Sequence, residues 1–316
     1  DKLKNKVMEL ERFIREKPIA QHSAAASGLE WGLQAIGIGN TLFTGKEIDV
    51  CILDTGFDLS HPDFAGREIE GKSFIDGEEW EKDPHGHGTH CAGIACGNIR
   101  SDTGKRYGVA KDARLRIGKV LSNKGKGSTS SIIDAIDWAI TKKFRIVSLS
   151  LASPVKLNEP PSLLFETVGK KALDNNCLLI AAAGNDSKRP SLPAPVAAPA
   201  NSPSIMAIAA IDNQLRVARF SNAGLNAATG GTVDLCAPGV DILSAYPQKG
   251  GNPERYALLS GTSMATPFVS GMAALYMEQF PELNAREVRE LLEKKAKPIE
   301  NLKYRDIGKG LIQTIR

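Results

Sequence analysis

The chain is short of the features that mark specialised protein classes. Its 316 residues hold only 5 cysteines, 3 tryptophans and 17 prolines. The five cysteines (Cys51, Cys91, Cys96, Cys177 and Cys236) are odd in number and lack the spacing of a zinc site or a disulfide scaffold. Contexts such as Val50-Cys51-Ile52-Leu53 predict buried, reduced thiols. That points to a reducing compartment and a cytoplasmic protein, with secretion after processing as the alternative. Long apolar runs are also missing. The longest, Cys177 to Ala183, falls far short of the about 20 residues that cross a bilayer, so no membrane is expected. Nor does charge of one sign dominate: 40 Lys and Arg against 36 Asp and Glu leave +4, too little to make nucleic acid a partner. No signal peptide is visible, and the numbering opens on Asp1 rather than Met, which is compatible with a leader or pro-segment already removed. What remains is ordinary globular composition, 42% hydrophobic and 24% charged, enough for a large core.

Two regions differ in pattern. In residues 1–28, Leu3, Val7, Leu10, Phe13 and Ile14 recur at helical spacing among Lys, Glu and Arg, and a small-residue stretch from Ser23 to Gly28 follows. This predicts a charged N-terminal helix and linker that makes a self-contact or meets a partner. Residues 29–316 read as one domain. Apolar runs at 48–53, 114–120, 146–151, 178–182 and 204–209 alternate with helical patterns such as 130–141 and 163–175. Strands separated by helices predict an α/β fold, a doubly wound and mostly parallel sheet with helices on both faces. Chemistry then belongs in the loops after the strands.

Those loops hold four unusual motifs. Asp54-Thr55-Gly56 follows a buried run; its second copy, Asp102-Thr103-Gly104, sits in a polar turn, which argues against an aspartic dyad. His85-Gly86-His87-Gly88-Thr89-His90 has H-x-H-x-x-H spacing and admits a metal-dependent hydrolase, although no histidine follows His90. Ser260-Gly261-Thr262-Ser263 runs into a helical pattern, which puts Ser263 at a helix N-terminus and Pro267 in the first turn. Ala181-Ala182-Ala183-Gly184-Asn185 ends a strand with a side-chain amide. An acid, a base, a hydroxyl and an amide donor are the parts of a nucleophilic triad with an oxyanion site.

With Asp54-Thr55-Gly56, Gly86-His87-Gly88-Thr89-His90, Ala183-Gly184-Asn185 and Gly261-Thr262-Ser263-Met264-Ala265-Thr266-Pro267, the chain resembles the subtilisin (subtilase) family of serine peptidases from about Trp31 onward. The resemblance implies a serine endopeptidase with Asp54, His87 and Ser263 as triad and Asn185 at the oxyanion. It implies a polypeptide substrate held as an extended strand between Lys124-Gly125-Lys126-Gly127 and Ser150-Leu151-Ala152, with Ala182, Gly184 and the stretch around Ala197 lining the primary pocket. Ala152 and Ala197 stand where the family often has glycine, which suggests a shallower pocket. A catalytically silent, subtilase-like binding module is the alternative. No cofactor is implied for catalysis. Asp63 matches a family calcium ligand, but the loop Ile99 to Arg106, where a calcium loop is common, carries three cations and one acid, a poor set for a hard cation.

Overall fold

A computed structural model describes residues 7–9, 28–248 and 255–315. Its strands are β1 (Val7–Glu9), β2 (Asp49–Asp54), β3 (Glu70–Ser73), β4 (Arg114–Lys119), β5 (Lys126–Ser128), β6 (Ile146–Leu149), β7 (Leu178–Ala182), β8 (Met206–Ile211), β9 (Leu235–Pro238), β10 (Ile242–Ala245) and β11 (Tyr256–Leu259). Its α-helices are α1 (Trp31–Ala35), α2 (His87–Cys96), α3 (Thr129–Thr141), α4 (Leu163–Asp174), α5 (Thr262–Gln279), α6 (Ala285–Lys295) and α7 (Tyr304–Ile307).

Seven strands form one sheet in the order β3-β4-β2-β6-β7-β8-β9, and every neighbouring pair is parallel. Residues of β6, β7, β8 and β9 are buried throughout, as strands covered on both faces must be. Helices α2 and α5 pack together on one face, and α3 and α4 on the other. The expected α/β fold is present, with two edge strands that the apolar pattern does not reveal. β3 is Glu-Gly-Lys-Ser, a polar edge with no alternation, and β9 ends on Pro238 at the opposite edge. From β2 the chain crosses to the edge strand β3, comes back to place β4 between β3 and β2, and then adds β6 on the other side of β2. This reversal opens a crevice at the carboxyl ends of β2 and β6, where α/β sheets bind ligands.

The N-terminal expectation needs correction. Val7–Glu9 is a strand, not part of a helix, and pairs antiparallel with β5 in the register Val7 to Ser128, Met8 to Gly127 and Glu9 to Lys126. A lone helix of this length is marginal in water, whereas an open strand edge offers a row of backbone partners. Leu3, Leu10, Phe13, Ile14 and the Ser23–Ser27 stretch lie outside the described residues. All five cysteines are buried and free, as their contexts predict.

Candidate active site

Asp54 is the last residue of β2 and His87 the first of α2, so a strand end and a helix start deliver the acid and the base. His87 Nδ1 lies 2.7 Å from Asp54 Oδ1, with both side chains 1% exposed. The Thr55 N–H donates to the same oxygen at 2.8 Å. Burial pushes the His87 ring down, but the Asp54 carboxylate outweighs this and holds it well above the usual histidine range. Glycines flanking His87 allow the approach. Gly86 has φ 91°, a left-handed conformation that L side chains avoid. A Cβ on Gly88 would lie 2.2 Å from the Gly56 carbonyl oxygen.

Ser263 is the second residue of α5, behind the cap residue Gly261. Its N–H is therefore one of the helix's unpaired N-terminal donors, in the positive end of the dipole. In this resting geometry its hydroxyl donates to the Ser150 carbonyl at 3.2 Å rather than to His87. Cys91, one turn along α2 from His87, links the two: its Sγ is 3.9 Å from His87 Nδ1 and donates to the Ser263 carbonyl at 3.5 Å.

Pro267 does not fall in the first turn as expected. α5 starts at Thr262, so Pro267 is its sixth residue, where a missing N–H deprives the carbonyl four residues earlier of its helical donor. That carbonyl belongs to Ser263. The Ser150 hydroxyl donates to it at 2.8 Å, alongside the Cys91 thiol.

Asn185 follows the end of β7 and is 3% exposed. Its Oδ1 accepts from Thr262 N–H (2.8 Å) and Thr262 Oγ1 (3.0 Å). The amide nitrogen lies on the side of Gly261, whose ideal Cβ would sit 3.3 Å from Nδ2. An amide oriented in this way can donate to charge appearing beside the N-terminus of α5.

The three clustered histidines do not converge on a metal. Buried His90 turns its Nε2 to the carbonyls of Ile242 (3.1 Å) and Ala257 (3.0 Å). Among the described residues the only group of three ligand-type side chains is Asp54, His87 and Cys91, which leaves out His85 and His90. The residues around Asp63 do not fit calcium. Tyr107 donates to Asp63 Oδ2 at 2.9 Å, and the Tyr256 hydroxyl lies 2.9 Å from both oxygens. Ser101 N–H donates to Tyr256 Oη at 2.9 Å, and Arg100 stacks 4.5 Å above the Tyr256 ring. Phenols thus hold the loop after α2, at the carboxylate a cation would need.

The segments expected to flank substrate are divided. Lys124 and Gly125 precede β5, which contains Lys126 and Gly127, and β1 lies along its edge. Ser150, Leu151 and Ala152 follow β6, where the Ser153 N–H donates to the Ala198 carbonyl at 2.8 Å. Gly184 N–H donates to Thr262 Oγ1 at 3.1 Å, next to Ala182 at the end of β7. Ala197, 0% exposed, would lie 3.0 Å from a Cβ on Gly184. Three polar residues escaped the sequence reading: Asp83, an aspartate before Pro84 that no motif marks; Ser150, cited only for its backbone; and Lys119. The Lys119 side chain is fully buried, pairs with Glu78 at 3.1 Å, and donates to Asn123 Oδ1 at 3.0 Å and to the Thr55 carbonyl. No periodicity singles out a lysine inside a strand.

The family profile described as the subtilase family matches residues 45–310. Subtilisin E from Bacillus subtilis is 38% identical over 304 residues, covering 95% of this chain and 73% of that protein. Subtilisin DY from Bacillus licheniformis is 34% identical over 270 residues, covering 85% and 90%. A crystal structure of a cold adapted subtilisin-like serine proteinase superposes with a TM-score of 0.76 at 29% identity, covering 92% of this chain and all of that one.

Proposed function

The chain belongs to the subtilase family and is a subtilisin-like serine endopeptidase, and from that premise we propose that it cleaves through Asp54, His87 and Ser263. The observation that carries this reading is the buried 2.7 Å Asp54–His87 pair beside the N-terminus of α5. Ser263 Oγ attacks the peptide carbonyl carbon while His87 Nε2 takes its proton. The carbonyl electrons move to oxygen, where Asn185 Nδ2 and the Ser263 N–H hold the anion. Collapse expels the amine, which leaves with the proton from His87, and an ester on Ser263 remains. Water, deprotonated by His87, hydrolyses that ester and restores the hydroxyl. Asp54 orients the ring and stabilises the imidazolium.

The substrate lies as a strand along β5 and Ser150–Ala152. Lys124 and Lys126 favour acidic residues before the cut, and Ala152 and Ala197 favour a small one at it. Val7–Glu9 occupies the β5 edge in this structure, which supports a self-contact that competes with substrate.

A fluorophosphonate probe tests the assignment. Ser263→Ala should keep its circular dichroism and lose all labelling; a variant that still turns over peptide near the wild-type rate would end the triad reading.

A further inference from the structure

One buried acid has no part in this chemistry. Asp83 is 3% exposed and sits four residues before His87. It accepts four bonds: Thr55 Oγ1 (2.7 Å) and Gly86 N–H (2.9 Å) at Oδ1, and Thr89 N–H and Thr89 Oγ1 (both 2.8 Å) at Oδ2. Two of the donors are themselves acceptors. Thr55 Oγ1 takes the Gly88 N–H at 2.9 Å, and Thr89 Oγ1 takes the Asp58 N–H at 2.9 Å.

The reason lies in how α2 begins. Its cap residue is Gly86, which has no side chain to offer the unpaired N–H groups of the first turn. Gly88 N–H is met instead by Thr55, and Thr89 N–H by Asp83. Thr55 immediately follows the acid Asp54, and Gly88 immediately follows the base His87. The Thr55–Gly88 bond therefore joins the residues next to the two partners, and Asp83 anchors that bond from both ends, through Thr55 Oγ1 and through the α2 first turn.

We propose that Asp83 is a positioning residue that sets the Asp54–His87 register by tying the loop after β2 to the first turn of α2. The proposal rests on the triad reading above. A cap that only stabilised α2 would change melting behaviour and leave turnover alone; a positioning residue changes kcat in protein that remains folded.

The test compares Asp83→Ala, Asp83→Asn and Thr55→Val with the intact enzyme. Each is assayed for kcat and KM at a temperature where circular dichroism shows it folded, and by proton NMR for the deshielded His87 Nδ1 proton in its bond to Asp54. Asp83→Ala should lower kcat about 10²-fold with KM within about threefold, the loss expected for a displacement near 1 Å at the reacting groups. The deshielded proton should shift or broaden. Asp83→Asn keeps one accepting oxygen, and Thr55→Val removes only the bridge; each should lose about tenfold, with the same proton disturbed. Folded Asp83→Ala with kcat within about threefold and an unmoved resonance would overturn the proposal. Should Asp83→Ala fail to fold, unchanged kcat in Thr55→Val and Asp83→Asn would overturn it equally. Ser263→Ala separates the two readings: activity surviving there refutes the triad, while its loss beside normal Asp83 variants refutes positioning alone.

Discussion

Pro267 and Ser150 should be energetically coupled through the Ser263 carbonyl. Pro267 leaves the buried Ser263 carbonyl without its helical N–H, and the Ser150 hydroxyl supplies a replacement at 2.8 Å. Ser150→Ala then leaves that carbonyl with only the long Cys91 thiol contact at 3.5 Å. A buried acceptor deprived of its partner costs about 1–3 kcal/mol, and the weak thiol contact puts this case near 2. Pro267→Ala restores an N–H at the right place, so in that background the same Ser150→Ala should cost only about 1 kcal/mol or less. The double-mutant cycle should therefore give a coupling of about 1 kcal/mol, above the about 0.3–0.5 kcal/mol within which independent sites add. Urea unfolding of all four proteins in a Ser263→Ala background measures it without self-digestion, and the absent Ser263 hydroxyl cancels around the cycle. Additive costs would refute the claim that Ser150 replaces the proline's missing donor.

Deleting residues 1–27 removes β1 from the β5 edge and should lower KM for extended peptides while leaving kcat near its value; unchanged KM would remove the strand as a competitor. Because phenols take both oxygens of Asp63, melting temperatures in millimolar calcium and in chelator should agree within about 1 °C, whereas a site filled at about a hundred times its Kd would add about 2.7 kcal/mol. His90, pushed down to about 3 by burial, stays neutral in the folded chain while the unfolded chain protonates it below about 6.5. The folded pKa lies below the unfolded one, so stability is lost as pH falls, by about 1.4 kcal/mol per unit between those values. Burial lowers His61 in the same direction. His87, held high by Asp54, contributes with the opposite sign, so the assignment is read from the difference between proteins. The change in urea midpoint from pH 7 to 5 should be less unfavourable in His90→Gln than in the intact chain, and equal pH dependences in the two would refute it.

The parallel sheet is legible because β2, β6, β7 and β8 are nearly continuous apolar runs with glycine or small polar residues at their ends. The motifs of the proposed triad are legible because glycines must flank a histidine whose helix starts against another loop. What stays hidden is set by partners distant in sequence. Val7 sits on a convincing helical stripe, yet the β5 edge, over a hundred residues away, makes Val7–Glu9 a strand. Pro267 suits a first turn until Asn185 Oδ1 is seen accepting the Thr262 N–H, in a helix that begins at Thr262, five residues before the proline. Asp83 looks like any turn aspartate until Thr55, Gly86 and Thr89 converge on it.

Asp54 and Asp83 are both buried carboxylates near His87, and the difference in their surroundings accounts for their different work. Asp83 accepts four hydrogen bonds, two on each oxygen. A buried charge satisfied in this way gains little from a further positive group, so it suits a fixed scaffold. Among the described residues Asp54 accepts only from Thr55 N–H and His87, both at Oδ1, and none of them bonds its buried Oδ2. Such a carboxylate is under-compensated in the resting state. In the proposed mechanism His87 takes the Ser263 proton, a full positive charge then forms 2.7 Å from Asp54 Oδ1 in a buried site, and the attraction strengthens at that step. Only an interaction that is stronger in the transition state than in the ground state raises kcat. On this argument a new donor aimed at Asp54 Oδ2 would steady the pair and slow the enzyme.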